Sequence, residues 1–246
     1  MLQVGAGKRQ PLCAAALIDK KHVVSNVNCH TSIIDIAQKS KVHVYFYINS
    51  TSYILTSGRS VGIPEGAAND KYDENTQQGD FVIFELAYTL HILPALLSNS
   101  PPKPNTEFFV VGSGATVSAD LDKHSRYVTD WEIGTLTVQD TSTCASSYQY
   151  NPYDGVHPLY NRTHLICALS ECISPCDREN GMPLLDVIKV NSQDRVVIFG
   201  ILSFKANKCT IGSAATFGIP SAYKSFFTET APGNIFVDVC HETGKC

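Results

Sequence analysis

Apolar residues come in short β-prone runs separated by turn-forming segments, at Val42 to Tyr47, Phe81 to Leu86, Phe108 to Val111, Gly134 to Val138, Leu184 to Val190 and Val196 to Phe204. VHVYFYI and GTLTVQD alternate apolar and polar positions, the period of a strand with one face in a core. DFVIFEL and RVVIFGILSF are apolar at nearly every position and predict strands buried on both faces. A helical period is clear only in PSAYKSFF, residues 220–227, which predicts a short terminal helix capped by Ser221 with Tyr223, Phe226 and Phe227 facing inward. The polar stretches Glu65 to Gly79, Ser98 to Thr106 and Ser146 to Tyr160 read as surface loops. None resembles an interdomain linker, and no internal repeat of fixed period is found. The rhythm is that of an all-β protein.

A chain of 246 residues is long enough to bury a large core. With 17% charged and 43% apolar residues it is neither disordered nor coiled. A net charge of −4 gives no general attraction to nucleic acid or to an anionic membrane, so neither is expected as a partner. No run of about 18 apolar residues predicts a membrane span. Nine cysteines, mostly placed singly, together with the sequons at Asn49 and Asn161, point to a secreted, extracellular glycoprotein. The opening Met1 to Gly5 has neither the basic start nor the apolar core of a signal peptide, which suggests a processed product beginning with an added Met. His22 and His43 lack metal-ligand spacing, Cys172-x-x-x-Cys176 suits an oxidising compartment better than a metal site, and Trp131 reads as packing or surface. No metal or cofactor is expected.

CAAALIDKKHVVSNVNC, residues 13–29, resembles the segment that introduces the catalytic His of trypsin-like serine proteases, with Cys13 and Cys29 at the separation of the family's disulfide. DFVIFEL resembles the family strand whose Asp orients that His, which places Asp80 at this position. CDRENGMP, residues 176–183, stands where the family has Cys-x-Gly-Asp-Ser-Gly-Gly-Pro, and FGILSF and SAYKSFF complete the order of landmarks. The resemblance covers Gln3 to about Phe227. It implies a trypsin-like double six-stranded antiparallel β-barrel with a short C-terminal helix. The single domain would span 1–230, its two barrel halves meeting near 100–110, with a C-terminal extension at 231–246.

The same resemblance puts Asn28 at the general base and Asn180 at the nucleophile. Acyl transfer in this family needs an attacking hydroxyl, an imidazole to take and return its proton, a carboxylate to orient the imidazole, and backbone N–H groups for the oxyanion. An Asn amide is neither nucleophilic nor basic near neutral pH. Arg178 replaces the oxyanion-hole Gly, and Glu179 replaces the Asp that pairs with a new N-terminus on activation. No Ile-Val-Gly-Gly start is present, and the segment before Cys13 is too short to supply the family's. Ser174, Ser203 and Lys205 mark the vestigial specificity pocket, with Lys205 expected to narrow its mouth. Asp80 then reads as a structural carboxylate, with the Asn28 amide standing where the imidazole N–H would be.

Family matching pairs Cys13–Cys29, Cys144–Cys167 and Cys176–Cys209 and leaves Cys172, Cys240 and Cys246 unassigned. A bridge from the tail to Cys172 is one option, and an intermolecular disulfide through the odd cysteine another. The resemblance implies a non-catalytic, secreted homologue that binds an extracellular protein as a decoy, cofactor or inhibitor in a proteolytic or immune cascade. The competing readings are a hydrolase rewired around Asp80 or His30, and a small-ligand or glycan binder using the residual cleft.

Overall fold

The computed structural model describes residues 2–6, 11–37, 42–48, 51–62, 65–66, 70–71, 78–112, 132–148, 164–175, 180–205 and 212–239. Its first half comprises β1 (Leu2–Ala6), β2 (Pro11–Leu17), β3 (His22–Ser25), α1 (Val27–Ala37), β4 (Val42–Ile48), β5 (Thr51–Gly62), β6 (Glu65–Gly66), β7 (Asp70–Lys71) and β8 (Val82–Leu86). Six of these strands close a barrel in the order β1-β2-β3-β8-β5-β4, every pairing antiparallel. The pair β6 and β7 is a small separate ribbon inside the stretch that the sequence presents as a loop.

The second half comprises β9 (Leu96–Ser98), β10 (Glu107–Gly112), β11 (Glu132–Val138), α2 (Thr141–Tyr148), β12 (Leu165–Leu169), β13 (Pro183–Val190), β14 (Gln193–Lys205), β15 (Ala215–Gly218), α3 (Lys224–Thr230) and β16 (Phe236–Val237). The antiparallel pairs β10–β11, β11–β12, β12–β15, β15–β14, β14–β13 and β13–β10 form a second closed ring of six. Asn191 and Ser192 both adopt positive φ, 51° and 65°, between the paired Val190 and Gln193. That is the backbone a two-residue hairpin turn requires if its twist is to match the strands it joins. Outside the ring, β9 adds in parallel to β14, and β16 adds in parallel to β9. The segment after α3 is thereby fastened to the body, and Val239 is buried in the second barrel's core.

The two continuously apolar runs lie where both faces are covered. On β14, Val197 and Phe199 fill the second barrel while Ile198 and Ile201 face the seam between the halves. On the strand entering β8, Phe81 and Ile83 join that seam with Ile198, Ile201, Tyr223 and Phe227. Phe81 meets Tyr223 and Phe227 edge-on at 5.3 and 5.2 Å, an orientation that sets the positive edge of one ring on the face of another. The C-terminal helix thus packs onto both halves at once.

Two helices depart from the sequence pattern. Helix α1 runs through VNCHTSIIDIA, whose β-branched residues hide its period, and is started by Asn26, whose Oδ1 accepts the Cys29 N–H at 3.0 Å. Helix α2 is largely polar and is started in the same way by Asp140, which accepts the Thr143 N–H at 2.8 Å. The expected Ser221 cap is also corrected. A 3-10 turn at 220–223 begins with Ile219 in the capping position and has no side-chain cap, because Pro220 fixes the first turn and has no N–H to satisfy. Tyr223 and Phe227 are buried as expected, and Phe226 is half-buried.

Disulfides join Cys13 to Cys29 and Cys144 to Cys167, fastening α1 to β2 and α2 to β12. Loops of this length make each bridge worth about 3 kcal/mol by the chain-entropy argument. Among the described residues Cys172 is exposed and has no disulfide partner. Cys176, Cys209, Cys240 and Cys246 lie outside the described residues, as do Asn49, Asn161, Arg178, Glu179 and Trp131.

Candidate functional site

Four segments distant in sequence converge at the seam: the end of β3 with the start of α1, the segment just before β8, the turn before β13, and the end of β14. Asp80 is their centre and is fully buried. Its Oδ1 accepts the Val27 N–H at 2.7 Å, and its Oδ2 accepts the Ser203 hydroxyl at 2.5 Å. The Asn28 N–H and the Asn26 side-chain amide also donate to it. Sequence reasoning put the Asn28 side-chain amide in this place, but the donor recorded from residue 28 is its backbone N–H. The start of α1 accounts for the difference, because the first N–H groups of a helix have no partners within it and a carboxylate can accept them.

Burial pushes the Asp80 carboxyl up to about 7, against the lowering effect of the hydrogen bonds from Ser203, Val27, Asn28 and Asn26. Ser203, assigned to the pocket from the sequence, is buried and directs its hydroxyl to Asp80. The Asn26 amide reaches the Ser203 carbonyl at 3.4 Å, so residue 26 both caps α1 and joins it to β14.

Asn180 sits half-buried in the turn that leads into β13, and its carbonyl accepts the Ala14 N–H at 2.9 Å. The next residue, Gly181, has φ +78° and donates its N–H to the Leu202 carbonyl at 3.1 Å. Leu202 in turn donates to the Met182 carbonyl at 2.8 Å. These bonds hold the turn at residues 180–181 against β2 on one side and β14 on the other, one residue from Ser203. Asn28 is half-buried at the second position of α1, so the structure brings positions 28, 80, 180 and 203 to one seam.

His30 meets this network through its backbone, whose N–H donates to the Asn26 carbonyl at 3.4 Å, while its ring packs elsewhere. It lies one residue past Cys29, its ring 6.3 Å from that of Phe84, and burial lowers its pKa from the ordinary value. Ser174 is half-buried and donates to the neighbouring Pro175 carbonyl at 3.4 Å. The backbone of Lys205 pairs with Ala215 at the end of β14. Among the described residues no group of His, Cys, Asp and Glu has the arrangement of a metal site. Among the described residues no helix is long and apolar enough to cross a membrane.

The sequence profile of the trypsin family, described as Trypsin, matches residues 1–227. Among solved structures, mouse neuropsin, described as a serine protease expressed in the limbic system of the brain, superposes with a TM-score of 0.67 at 14% sequence identity, over 93% of this chain and 92% of its own. No curated protein sequence matches. The two closed barrels, the disulfide around the start of α1 and a family match over nearly the whole length agree: the chain belongs to the trypsin-like serine protease family.

Proposed function

We propose that this family member is non-catalytic and acts by binding another extracellular protein, as a decoy, cofactor or inhibitor in a proteolytic or immune cascade. The observation that carries the reading is the pair of amides at the seam. Asn28 and Asn180 occupy the positions of base and nucleophile around an Asp80 already engaged by four donors. A carboxylate in the active arrangement orients an imidazole, which takes the proton of an attacking hydroxyl. Here neither proton acceptor nor hydroxyl stands at those two positions, and no covalent route to an acyl intermediate follows. What remains is a hydrogen-bonded framework that fixes the relation of the two barrels and thus of the loops they carry. The disulfides support secretion, and the sequons at Asn49 and Asn161 belong to the same proposal.

Restoring Asn28→His and Asn180→Ser together tests how far the departure from catalysis extends. The expected result is no turnover of peptide substrates above the buffer blank, because Arg178, Glu179 and Lys205 still differ from the family pattern at the oxyanion, activation and pocket positions. Trypsin-like turnover in the double variant would show that only two side chains separate this chain from an enzyme.

A further inference from the structure

Asn180-Gly181 is the only Asn-Gly pair in the chain. Such a pair carries a reaction of its own, because a glycine nitrogen has no side chain beside it to hinder attack on the asparagine side-chain carbonyl. Residue 181 has to be glycine: its φ is +78°, and an added Cβ would run into Ser25 and the Ala14 carbonyl oxygen. The fold therefore sets a reactive pair in this turn and must also hold it in check. Both ends of the peptide unit between the two residues are hydrogen-bonded. Its carbonyl accepts the Ala14 N–H of β2 at 2.9 Å, and its N–H donates to the Leu202 carbonyl of β14 at 3.1 Å, so one rigid plane is fastened to both barrels. Gly181 is buried as well, which keeps solvent base from its N–H. Ring closure needs that plane to turn, and it can turn only by giving up both bonds.

We propose that Asn180-Gly181 is a one-way modification site gated by the seam: the pair stays intact while its peptide unit joins the barrels, and converts to aspartate and isoaspartate once that unit is released. In the open turn the Gly181 nitrogen gives its proton to solvent base and bonds to the Asn180 side-chain carbonyl carbon. The side-chain nitrogen leaves with a proton from water as ammonia, which closes a succinimide ring. Water then adds to either ring carbonyl and breaks its bond to nitrogen, giving isoaspartate or aspartate. In isoaspartate the main chain runs through the former side chain, and the inserted methylene prevents the carbonyl and the N–H from reaching Ala14 and Leu202 together. The turn does not dock again, so an opening of the seam is recorded as a permanent covalent change with one added negative charge. The inference uses the geometry of the turn and does not rest on the reading of the seam as non-catalytic.

Peptide mapping with isoaspartate detection tests the proposal on the full chain, incubated in mildly alkaline buffer both native and in guanidinium chloride. The unfolded chain is expected to convert at Asn180, and the native chain at least about tenfold more slowly. Exchange of the Gly181 N–H with deuterated solvent needs part of the same opening, so folding should slow conversion by at least the factor by which it slows that exchange. Met182→Ala removes a buried side chain beside the turn and should raise both rates while the circular dichroism stays that of the wild type. In the converted protein the Gly181 N–H should exchange freely. A native chain that converts as fast as the unfolded one would overturn the proposal, as would an Asn180 that stays intact in guanidinium chloride. So would a converted protein that keeps the Gly181 N–H protected, or a folded Met182→Ala variant with faster exchange and unchanged conversion.

Discussion

Gly181→Ala is expected to destabilise the protein by about 3–5 kcal/mol, enough to unfold a large part of a marginally stable domain. Residue 181 holds φ at +78°, which an L side chain adopts only under strain. A Cβ there would also run into the Ser25 hydroxyl, lie 2.6 Å from the Ala14 carbonyl oxygen and 3.0 Å from the Ser25 Cα. The hydroxyl can rotate, but the two backbone contacts cannot be relieved without separating β2 or β3 from the turn. Gly212→Ala isolates the first effect, because Gly212 has φ +80° and nothing within 4 Å of an added Cβ. It should cost about 1 kcal/mol. Urea unfolding of both variants checks the contrast. Equal losses would mean that the Gly181 turn is not pressed against the first barrel as described.

Asp80→Ala is the second large effect. It would leave the Val27 N–H and the Ser203 hydroxyl without their acceptor and open a cavity at the seam, a loss of about 3 kcal/mol at pH 4 that shrinks as pH rises toward 7 and the wild-type carboxyl ionises. Asp80→Asn should behave differently. The folded-state value of about 7 lies above the ordinary carboxylate value of 3.8, so the fold favours the protonated acid. The contribution of this group is complete below about pH 4 and is lost as pH rises through about 7, with a limiting slope near 1.4 kcal/mol per pH unit. Asn cannot ionise, and the variant should therefore gain on wild type steadily from pH 4 to 7. Comparing the two proteins by urea midpoint at each pH cancels every other titrating group. A wild type minus Asp80→Asn difference that stays constant from pH 4 to 8 would contradict the assignment.

The strands that alternate, or that are apolar throughout, could be read directly from the chain because burial on one or two faces leaves a mark at every second residue or at every residue. Val42–Ile48 and Gln193–Lys205 are examples. Helix α1 could not be read in this way, since its Val27, Thr31, Ile33, Ile34 and Ile36 are better strand formers than helix formers and its start depends on one capping side chain. Within the candidate site, the order of the family landmarks singled out Asp80, which the structure buries at the seam. The bond from Ser203 to Asp80 was not legible, because it joins residues 123 apart in the chain and exists only once β14 passes the start of β8. The fastening of residues 231–239 by β16 was equally hidden, a two-residue strand being too short to leave a period.

The proposal that the seam carries out no acyl transfer is tested most directly by exposing the wild-type protein to a fluorophosphonate probe together with a broad peptide library. The proposal predicts no covalent adduct by intact mass and no cleavage above the blank, while trypsin treated in parallel is labelled completely. A stoichiometric adduct mapped to the residues around Asn180, or sequence-selective cleavage of the library, would contradict it.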